Sequence, residues 1–416
     1  MATKKKTPAK NKKKNNFEFF KEMETGNDIA DGKVSMDTAE YIDSGAYSYN
    51  ASLSGDMTIG FASNKIYMGA GKQSVGKTFL AMYSFCRPLV ELGYYIYYID
   101  TEASLNEETL RSFGIPEEQS TILRQGVVED LTFEVNKILN NIEEKRKRKG
   151  YEEGDLKCAF VLDSQGQLDT LKSRADTDAG KNTVDLTLQK FVKKFYKTVT
   201  VRMATLNIPM YVTNHIYENN MSFIPLTVVS GGQGGLYASS NITLFRKKQY
   251  KEGSLRKGTI LTGKIFKSRM CQDGLECTIY LDFDKGLNKW YGIHEFAEKA
   301  GLIEKMSSSK ASIAKLEKAG YKLPADFSDG GFILIKDPKI TDETKWIICK
   351  ESKIHKESVI GTIFDEINEW VKKTFKLINP VDFSYDDDDT NDADSDLEEA
   401  VQDIKEENVT ELEEIE

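Results

Sequence analysis

The sequence contains few of the residues that build metal centres and covalent frameworks. Its five cysteines, Cys86, Cys158, Cys271, Cys277 and Cys349, are scattered without a C-x-x-C pair, and only three histidines accompany them in 416 residues. A structural zinc site needs clustered cysteine and histidine ligands, and a disulfide framework needs cysteines at a framework spacing. We therefore expect neither in this protein.

Long apolar segments are also missing. Nowhere do 18 apolar residues run together, and the lysine cluster near the N-terminus is not followed by the apolar stretch of a signal peptide. A membrane-spanning helix needs about 20 such residues, and export needs that signal. The sequence thus predicts a soluble protein that works inside the cell.

Charge of one sign is confined to the two ends of the chain. Residues 1–14 carry seven lysines and no acid, and residues 386–416 carry sixteen acids and one lysine. Residues 15–385 are left with −1 of the formal net charge of −9. This composition is typical of disordered tails. Either the tails serve solubility, or the basic arm contacts nucleic acid while the acidic tail competes for the protein's own basic surfaces.

The strongest local pattern is "GKQSVGKT", Gly71 to Thr78, which we call the glycine loop. It fits G-x-x-x-x-G-K-[ST] and stands between an apolar run, Lys65 to Met68, and the apolar stretch "FLAMYSF". In such a loop backbone N–H groups turn towards phosphates, the lysine reaches the β- and γ-phosphates, and the threonine hydroxyl faces Mg²⁺. The predicted nucleotide-binding residues are Gly71, Lys72, Gln73, Ser74, Val75, Gly76, Lys77 and Thr78, with Thr78 also binding the metal.

Three further apolar runs alternate with helical patterns, which predicts an α/β fold with a mostly parallel sheet. "YYIYYID" ends at Asp100, "KCAFVLD" ends at Asp163 and "IPMYVTN" ends at Asn214. Ligands of parallel sheets bind at the carboxyl ends of strands. Asp163 is expected to hold Mg²⁺, and Glu102 to deprotonate the water that attacks the γ-phosphate. Acids at strand ends can instead be simple N-caps.

Later apolar runs follow one another with short turns at Lys251–Lys257 and Met270–Leu275. They predict an antiparallel extension of the sheet.

Taken in order, these motifs resemble those of the RecA-family DNA strand-exchange recombinases, most closely the phage UvsX-type members. The resemblance covers roughly Phe17 to Ile303, and the acidic tail is similar as well. It rests on "IDSGAYSYNASLSG", "YYIDTEASLNEETLRSFGI", "FVLDSQGQL", "IPMYVTNHIYE", "VVSGGQGGLYASSNITLFRKKQ" and "GKIFKSR".

The resemblance implies a RecA-like P-loop ATPase core that uses ATP and Mg²⁺. It implies helical homo-oligomeric filaments on single-stranded DNA, which pair with double-stranded DNA and exchange strands. A single-strand-binding protein and a loader would be partners, and no membrane would be involved. The location would be the cytoplasm, that of an infected bacterial host if the chain is phage-encoded.

The same resemblance assigns roles at matching positions. Lys77 and Glu102 would be catalytic, and His215 would sense the γ-phosphate and pass its state to the adjoining DNA-binding segment. Lys267 and Arg269 would reach the neighbouring protomer's γ-phosphate. Asn106 would contact the adenine edge, whereas Thr109 stands where the family commonly has a tyrosine against the adenine. Base stacking must then come from elsewhere or be lost.

Two segments are implied to bind DNA. In Lys172–Thr183 the phosphate contacts would be Lys172, Arg174 and Lys181. The second segment, Ile216 to about Gly235, is apolar and ends in a double glycine. In it, Met221, Phe223 and Ile224 would insert between bases, while Ser230, Gly231 and Gly232 would contact phosphates.

The predicted organisation has five parts. They are a basic disordered arm (1–16), an N-terminal oligomerisation segment (17–63), the ATPase core with its DNA-binding loops (64–292), a small C-terminal domain (293–383) and an acidic disordered tail (384–416). Two rival functions stay open, a hexameric RecA-fold helicase and a filament-forming DNA-packaging or protective protein that binds ATP but hydrolyses it negligibly. The apolar segment before "SGGQGG" favours the open filament, and Glu102 favours hydrolysis.

Overall fold

The computed structural model describes residues 40–148, 156–181, 187–219, 226–229, 232–252, 254–306, 309–324, 327 and 331–377. The chain divides into two units, Met1–Lys376 and Leu377–Glu416, and every element below lies in the first. Both predicted tails, residues 17–39 of the predicted oligomerisation segment and five of the predicted DNA contacts fall outside the described residues. Those contacts are Met221, Phe223, Ile224, Ser230 and Gly231.

The described strands are short in the core and long in one hairpin. They are β1 (Tyr41–Ile42), β2 (Phe61–Ala62), β3 (Ile66–Gly71), β4 (Tyr95–Asp100), β5 (Ser120–Leu123), β6 (Cys158–Asp163), β7 (Met210–Asn219), β8 (Leu226–Val229), β9 (Asn241–Glu252), β10 (Leu255–Ser268), β11 (Glu276–Asp282), β12 (Gly286–Asn288), β13 (Ile303–Met306), β14 (Phe332–Ile335) and β15 (Ile347–Lys350).

The described α-helices are α1 (Tyr47–Ser54), α2 (Lys77–Leu80), α3 (Arg87–Glu91), α4 (Glu107–Ser112), α5 (Val128–Arg146), α6 (Leu171–Asp178), α7 (Leu188–Thr205), α8 (Gln233–Ala238), α9 (Ile293–Lys299), α10 (Lys310–Lys318), α11 (Glu357–Ile360) and α12 (Phe364–Phe375). A π-helical stretch, Ala81–Cys86, joins α2 to α3 without a break. The chain therefore leaves the glycine loop in one continuous helical rod.

A ten-stranded mixed sheet forms the centre of the molecule, in the order β12-β11-β10-β9-β3-β7-β6-β4-β5, with β8 paired to β7. The strands from β9 to β5 are mutually parallel, whereas β10, β11 and β12 continue the sheet antiparallel. The predicted α/β class, the mostly parallel sheet and its antiparallel extension are confirmed. The first hairpin turn is shorter than predicted, because β9 runs to Glu252 and β10 begins at Leu255.

Both faces of the parallel part are covered, as the near-continuous apolar strands require. One face packs against the rod after the glycine loop through residues such as Leu80, Phe85 and Leu89. The other face packs against α5 and α7, where Leu131 and Phe195 are fully buried. Because these strands are parallel, their carboxyl ends lie at one common edge of the sheet, and the helical layers hold the sheet between them.

Residues after 292 build a smaller antiparallel sheet in the order β13-β14-β15, with α12 beside it. Their apolar core is shared with Ala51 and Met57 near α1 and with Ile265 on β10. Polar contacts join the same parts, because Asn368 accepts a hydrogen bond from the backbone N–H of Met57 at 2.7 Å. The predicted domain boundaries stay predictions.

The segment predicted as a charged DNA-binding loop at Lys172–Thr183 is helical over its first part. Helix α6 spans Leu171–Asp178, and the Thr170 hydroxyl caps it by accepting a hydrogen bond from the backbone N–H of Ser173. The prediction of a loop was therefore wrong for residues 172–178. The charged composition suggested a loop, but the segment also contains good helix formers and is preceded by an N-cap threonine, which favours a helix.

Candidate functional site

The glycine loop is held in place by close backbone approaches. A Cβ atom on Gly71 would lie 2.8 Å from the backbone oxygen of Phe245 on β9, so only glycine fits there. Gly76 has a φ of 108°, a backbone conformation that glycine adopts readily. Lys247, also on β9, donates a hydrogen bond to the carbonyl of Ser74. The sheet therefore shapes the loop from the side of β9.

Lys77 lies inside this loop and is buried. Its ammonium group donates hydrogen bonds to the carbonyls of Gly71 and Lys72, each at 3.0 Å. Burial lowers the pKa of the ammonium, and the carboxylates of Asp163 and Glu102 raise it again in part. The loop thus holds a cation next to two acids at the end of the sheet.

Asp163, at the carboxyl end of β6, is the polar centre of this edge. One of its oxygens accepts hydrogen bonds from the hydroxyls of Thr78 and Tyr98, both at 2.7 Å. Its other oxygen accepts from the Thr213 hydroxyl on β7. The carboxylate is only 3 % exposed, so its orientation is fixed by these three donors. The following peptide bond, Asp163–Ser164, is cis.

Glu102 stands on the turn after β4, and two side chains, those of Asp100 and Ser164, place it. The Asp100 carboxylate accepts hydrogen bonds from the backbone N–H groups of Glu102 and Leu105, at 3.1 and 2.9 Å, and so fixes the turn. The Ser164 hydroxyl donates to the Glu102 carboxylate at 2.9 Å. Glu102 keeps about a third of its side chain exposed, 34 %. It is therefore oriented and still accessible.

His215 on β7 links the two charged groups. Its Nε2 lies 3.3 Å from Oε1 of Glu102, and its Nδ1 lies 3.5 Å from Nζ of Lys77. The backbone N–H of His215 is held by the Asn214 carboxamide at 2.8 Å. The structure thus brings together Lys77, Thr78, Glu102, Asp163 and His215, which the sequence predicted as one site.

Sequence reasoning missed Tyr98 and Thr213, which position Asp163, and it placed Ser164 at this edge without a role, although Ser164 positions Glu102. Each stands within two residues of a polar strand end that was singled out. The signal that could have found them was the predicted parallel sheet, because side chains near the carboxyl ends of adjacent parallel strands lie close together.

Lys267 and Arg269 lie apart from this cluster within the chain. Lys267 pairs with Ile242 on β9, and Ile242 pairs with Met68, well before the end of β3. Lys267 donates a hydrogen bond to the carbonyl of Leu236 at 2.5 Å, and Arg269 donates to that of Tyr237 at 2.8 Å. Both cations therefore bind the C-terminal turn of α8, where they complement its carbonyl groups.

Asn106 serves as the N-cap of α4. Its side-chain oxygen accepts hydrogen bonds from the backbone N–H and the hydroxyl of Thr109, at 2.8 and 2.7 Å. Asn106 also lines an open groove of about 840 Å³ together with Thr121 and Arg124. The position assigned to the base contact thus has a structural role of its own.

The predicted DNA contacts that are described occupy two places. Lys172 and Arg174 are on α6, and Lys181 follows it, with its ammonium 3.9 Å from the Asp176 carboxylate. Gly232, with a φ of 78°, is the N-cap residue of α8. Within α8 a Cβ atom on Gly235 would lie 2.3 Å from Oε1 of Gln165, so the double glycine lets this short helix pack closely.

In the part of the chain that the structure describes, no group of three or more histidine, cysteine, aspartate or glutamate side chains could hold a metal ion. A site for Mg²⁺ would fit this finding, because Mg²⁺ is usually bound by one or two protein oxygens together with substrate phosphates and water. Thr78 and Asp163 provide such oxygens. None of the described helices is both long and apolar enough to cross a membrane.

No protein-family model matches the chain. The chain is similar to the "Recombination and repair protein" of Enterobacteria phage T4, with 28% identity over 260 residues. The matched part is 62% of this chain and 63% of the length of that relative.

Proposed function

We propose that this chain is an ATP-dependent DNA recombination protein with a RecA-like core. It forms helical filaments on single-stranded DNA, pairs them with homologous duplex and exchanges strands. The observation that carries this proposal is the meeting of Lys77, Glu102 and His215 at the edge of the sheet where the glycine loop lies. The similarity to a recombination and repair protein of phage T4 supports the DNA part.

In this proposal the glycine loop binds the triphosphate of ATP. Its backbone N–H groups hold the phosphates, and Lys77 exchanges its carbonyl partners for phosphate oxygens. Thr78 and Asp163 hold Mg²⁺, which, when bound, neutralises charge on the phosphates. Their mutual 2.7 Å hydrogen bond shows that the two oxygens already converge. The buried environment strengthens each of these interactions because little water competes with them.

Glu102 acts as the general base. Its carboxylate is oriented by Ser164 and remains partly exposed, so a water molecule can reach it. A base of this kind accepts a proton from the attacking water, and this assistance typically accelerates hydrolysis by about 10²–10⁴-fold. His215 contacts the same carboxylate, so it can respond to a change at the phosphates.

The path to DNA begins at His215, because β7 continues from it to Asn219 and into the apolar segment predicted to bind DNA. A change in the contact between His215 and Glu102 would therefore be transmitted along β7 to that segment. The segment would bind any sequence, since stacking between bases and apolar side chains does not read base edges. This coupling would let DNA stimulate ATP hydrolysis and let hydrolysis release DNA.

Lys267 and Arg269 act between protomers in this proposal. They lie away from Lys77 of their own chain, which agrees with a role at a neighbour's γ-phosphate. A head-to-tail interface between identical chains generates a closed ring or an open helical filament, and in this proposal the rotation between neighbours does not close, which gives a filament. A single-strand-binding protein and a loader would then control where filaments begin.

The test is electron microscopy of the full chain with single-stranded DNA, Mg²⁺ and a slowly hydrolysed ATP analogue, together with ATP turnover with and without DNA. We expect extended helical filaments and DNA-stimulated turnover. Closed rings would instead identify a helicase, and filaments without turnover would identify a DNA-protective protein.

A further inference from the structure

Three aromatic side chains form a cluster beside the glycine loop, and none of the roles above uses it. The rings of Phe79 and Tyr83 stack with centroids 4.5 Å apart and planes 27° apart. Phe113 meets both of them edge to face, at 5.1 and 5.2 Å. We call Phe79, Tyr83 and Phe113 the aromatic cluster. All three side chains are half-buried, so part of their ring surface faces solvent.

The position of the cluster follows from the two helices that carry it. Phe79 comes directly after Thr78, in the first turn of the helix that follows the glycine loop. Phe113 is the C-cap of α4, four residues after Thr109, and residues spaced by four lie on the same face of a helix. The cluster therefore borders both the phosphate-binding loop and the helix at which the base would be held.

One side of the cluster is already closed. A Cβ atom on Gly286, at the start of β12, would lie 3.1 Å from the Tyr83 ring, so the β11–β12 turn covers part of that ring. Phe113 also packs against the apolar core behind it. Phe79 meets Tyr83 and Phe113, and of the three it lies nearest the glycine loop in sequence. Its ring is the member best placed to meet a ligand held by that loop.

We propose that the aromatic cluster stacks against the nucleobase of the nucleoside triphosphate bound at the glycine loop. This inference rests on the proposed function and deepens it. A phosphate-binding loop fixes only one end of a nucleotide, and the flat, apolar base at the other end needs an apolar surface. Aromatic rings provide such a surface and stack on any base, because every base has a π-face. Thr109 provides no ring, and Asn106 uses its oxygen to cap α4.

The test measures how tightly the full chain binds two ligands in the presence of Mg²⁺. ATP contains the base, whereas inorganic tripolyphosphate engages the glycine loop without one. The variants are Phe79→Leu and Phe113→Leu, which keep an apolar side chain and remove the ring. The matched control is Phe133→Leu, because Phe133 lies on α5 with 71% of its surface exposed.

We expect Phe79→Leu to raise the Kd for ATP about 5- to 150-fold, the range that base stacking typically contributes. The Kd for tripolyphosphate should stay within about twofold, and Phe133→Leu should change neither. Phe113→Leu should act in the same direction, with a melting temperature measured beside it because this ring also packs on the core.

Two results would overturn the inference while leaving the proposed function intact. In the first, Phe79→Leu binds ATP as tightly as the wild type. In the second, the variant loses affinity for ATP and tripolyphosphate equally, which would indicate that the ring only supports the loop. A wild-type protein that binds neither ligand would reject the proposed function itself, together with this inference.

Discussion

Nε2 of His215 lies 3.3 Å from Oε1 of Glu102, although the two residues are 113 positions apart in the sequence. One stands on β7, which leads into the segment predicted to bind DNA, and the other on the turn after β4. In the proposed function, this contact connects the candidate base to that segment, and DNA binding and hydrolysis would influence one another through it.

The variant His215→Gln tests this connection. We expect it to bind ATP with nearly wild-type affinity and to lose about tenfold or more of the DNA stimulation of turnover, because the imidazole no longer links the base to β7. Turnover at saturating ATP should be measured with and without single-stranded DNA. Unchanged stimulation would contradict the sensor role of His215.

Glu102→Gln keeps the size of the side chain and removes its basicity. We expect ATP turnover to fall by about 10²–10⁴-fold, while the Kd for ATP and filament formation on DNA with the ATP analogue are retained. Because Gln can still accept the hydrogen bond from Ser164, the turn should keep its geometry. Retained turnover would revive the protective-protein interpretation.

Lys267 can be tested for action across an interface by mixing inactive variants. Lys77→Ala should lack ATP binding at its own loop, and Lys267→Ala should lack the cation offered to its neighbour. In an equal mixture, roughly a quarter of the interfaces combine an intact loop with an intact neighbouring lysine. We expect turnover to return towards that fraction. A mixture as inactive as either variant would contradict the assignment.

This mixing experiment needs a stability control. Lys267 binds the carbonyls of Leu236 and Tyr237, so its removal also leaves the end of α8 with fewer partners. The melting temperature of each variant should therefore be measured, and Lys264→Ala, a change on the same strand, provides a matched comparison.

A pair of half-buried histidines predicts loss of stability in mild acid. The rings of His294 and His355 lie 4.7 Å apart. Burial lowers the pKa of His294 to about 4, and burial together with the neighbouring His294 lowers the pKa of His355 to about 3. Their ordinary pKa is about 6.5. The unfolded chain therefore takes up protons first, and stability is lost as the pH falls from about 6.5 towards 4.

We expect the pair to contribute a loss of about 4 kcal/mol in the free energy of unfolding between pH 7 and pH 5, about 2 kcal/mol from each histidine. Nearby Glu298 and Lys305 act on His294, and Glu295, whose pKa burial raises, opposes the trend. Chemical unfolding of the wild type and of the double variant His294→Gln/His355→Gln separates these contributions, because the other groups remain in both. Equal pH dependence in the two proteins would contradict the prediction.

The glycine loop and the polar ends of β4, β6 and β7 could be predicted because their signals are local. Glycines at fixed spacing and apolar runs ending in acids depend on neighbours in the chain, and parallel strands place those ends at one edge. Local patterns failed at α6, where charged side chains suggested a loop and the cap at Thr170 decided for a helix.

The sequence by itself therefore determined the α/β class, the position of the glycine loop and five residues of the candidate site. Only the tertiary structure decided which side chains complete it. Tyr98 and Thr213 reach Asp163 from 65 and 50 positions away. The ring of Phe113 meets that of Phe79 through the packing of two helices. Such contacts depend on strand register and helix packing, and these are fixed only when the apolar faces of distant segments are buried together.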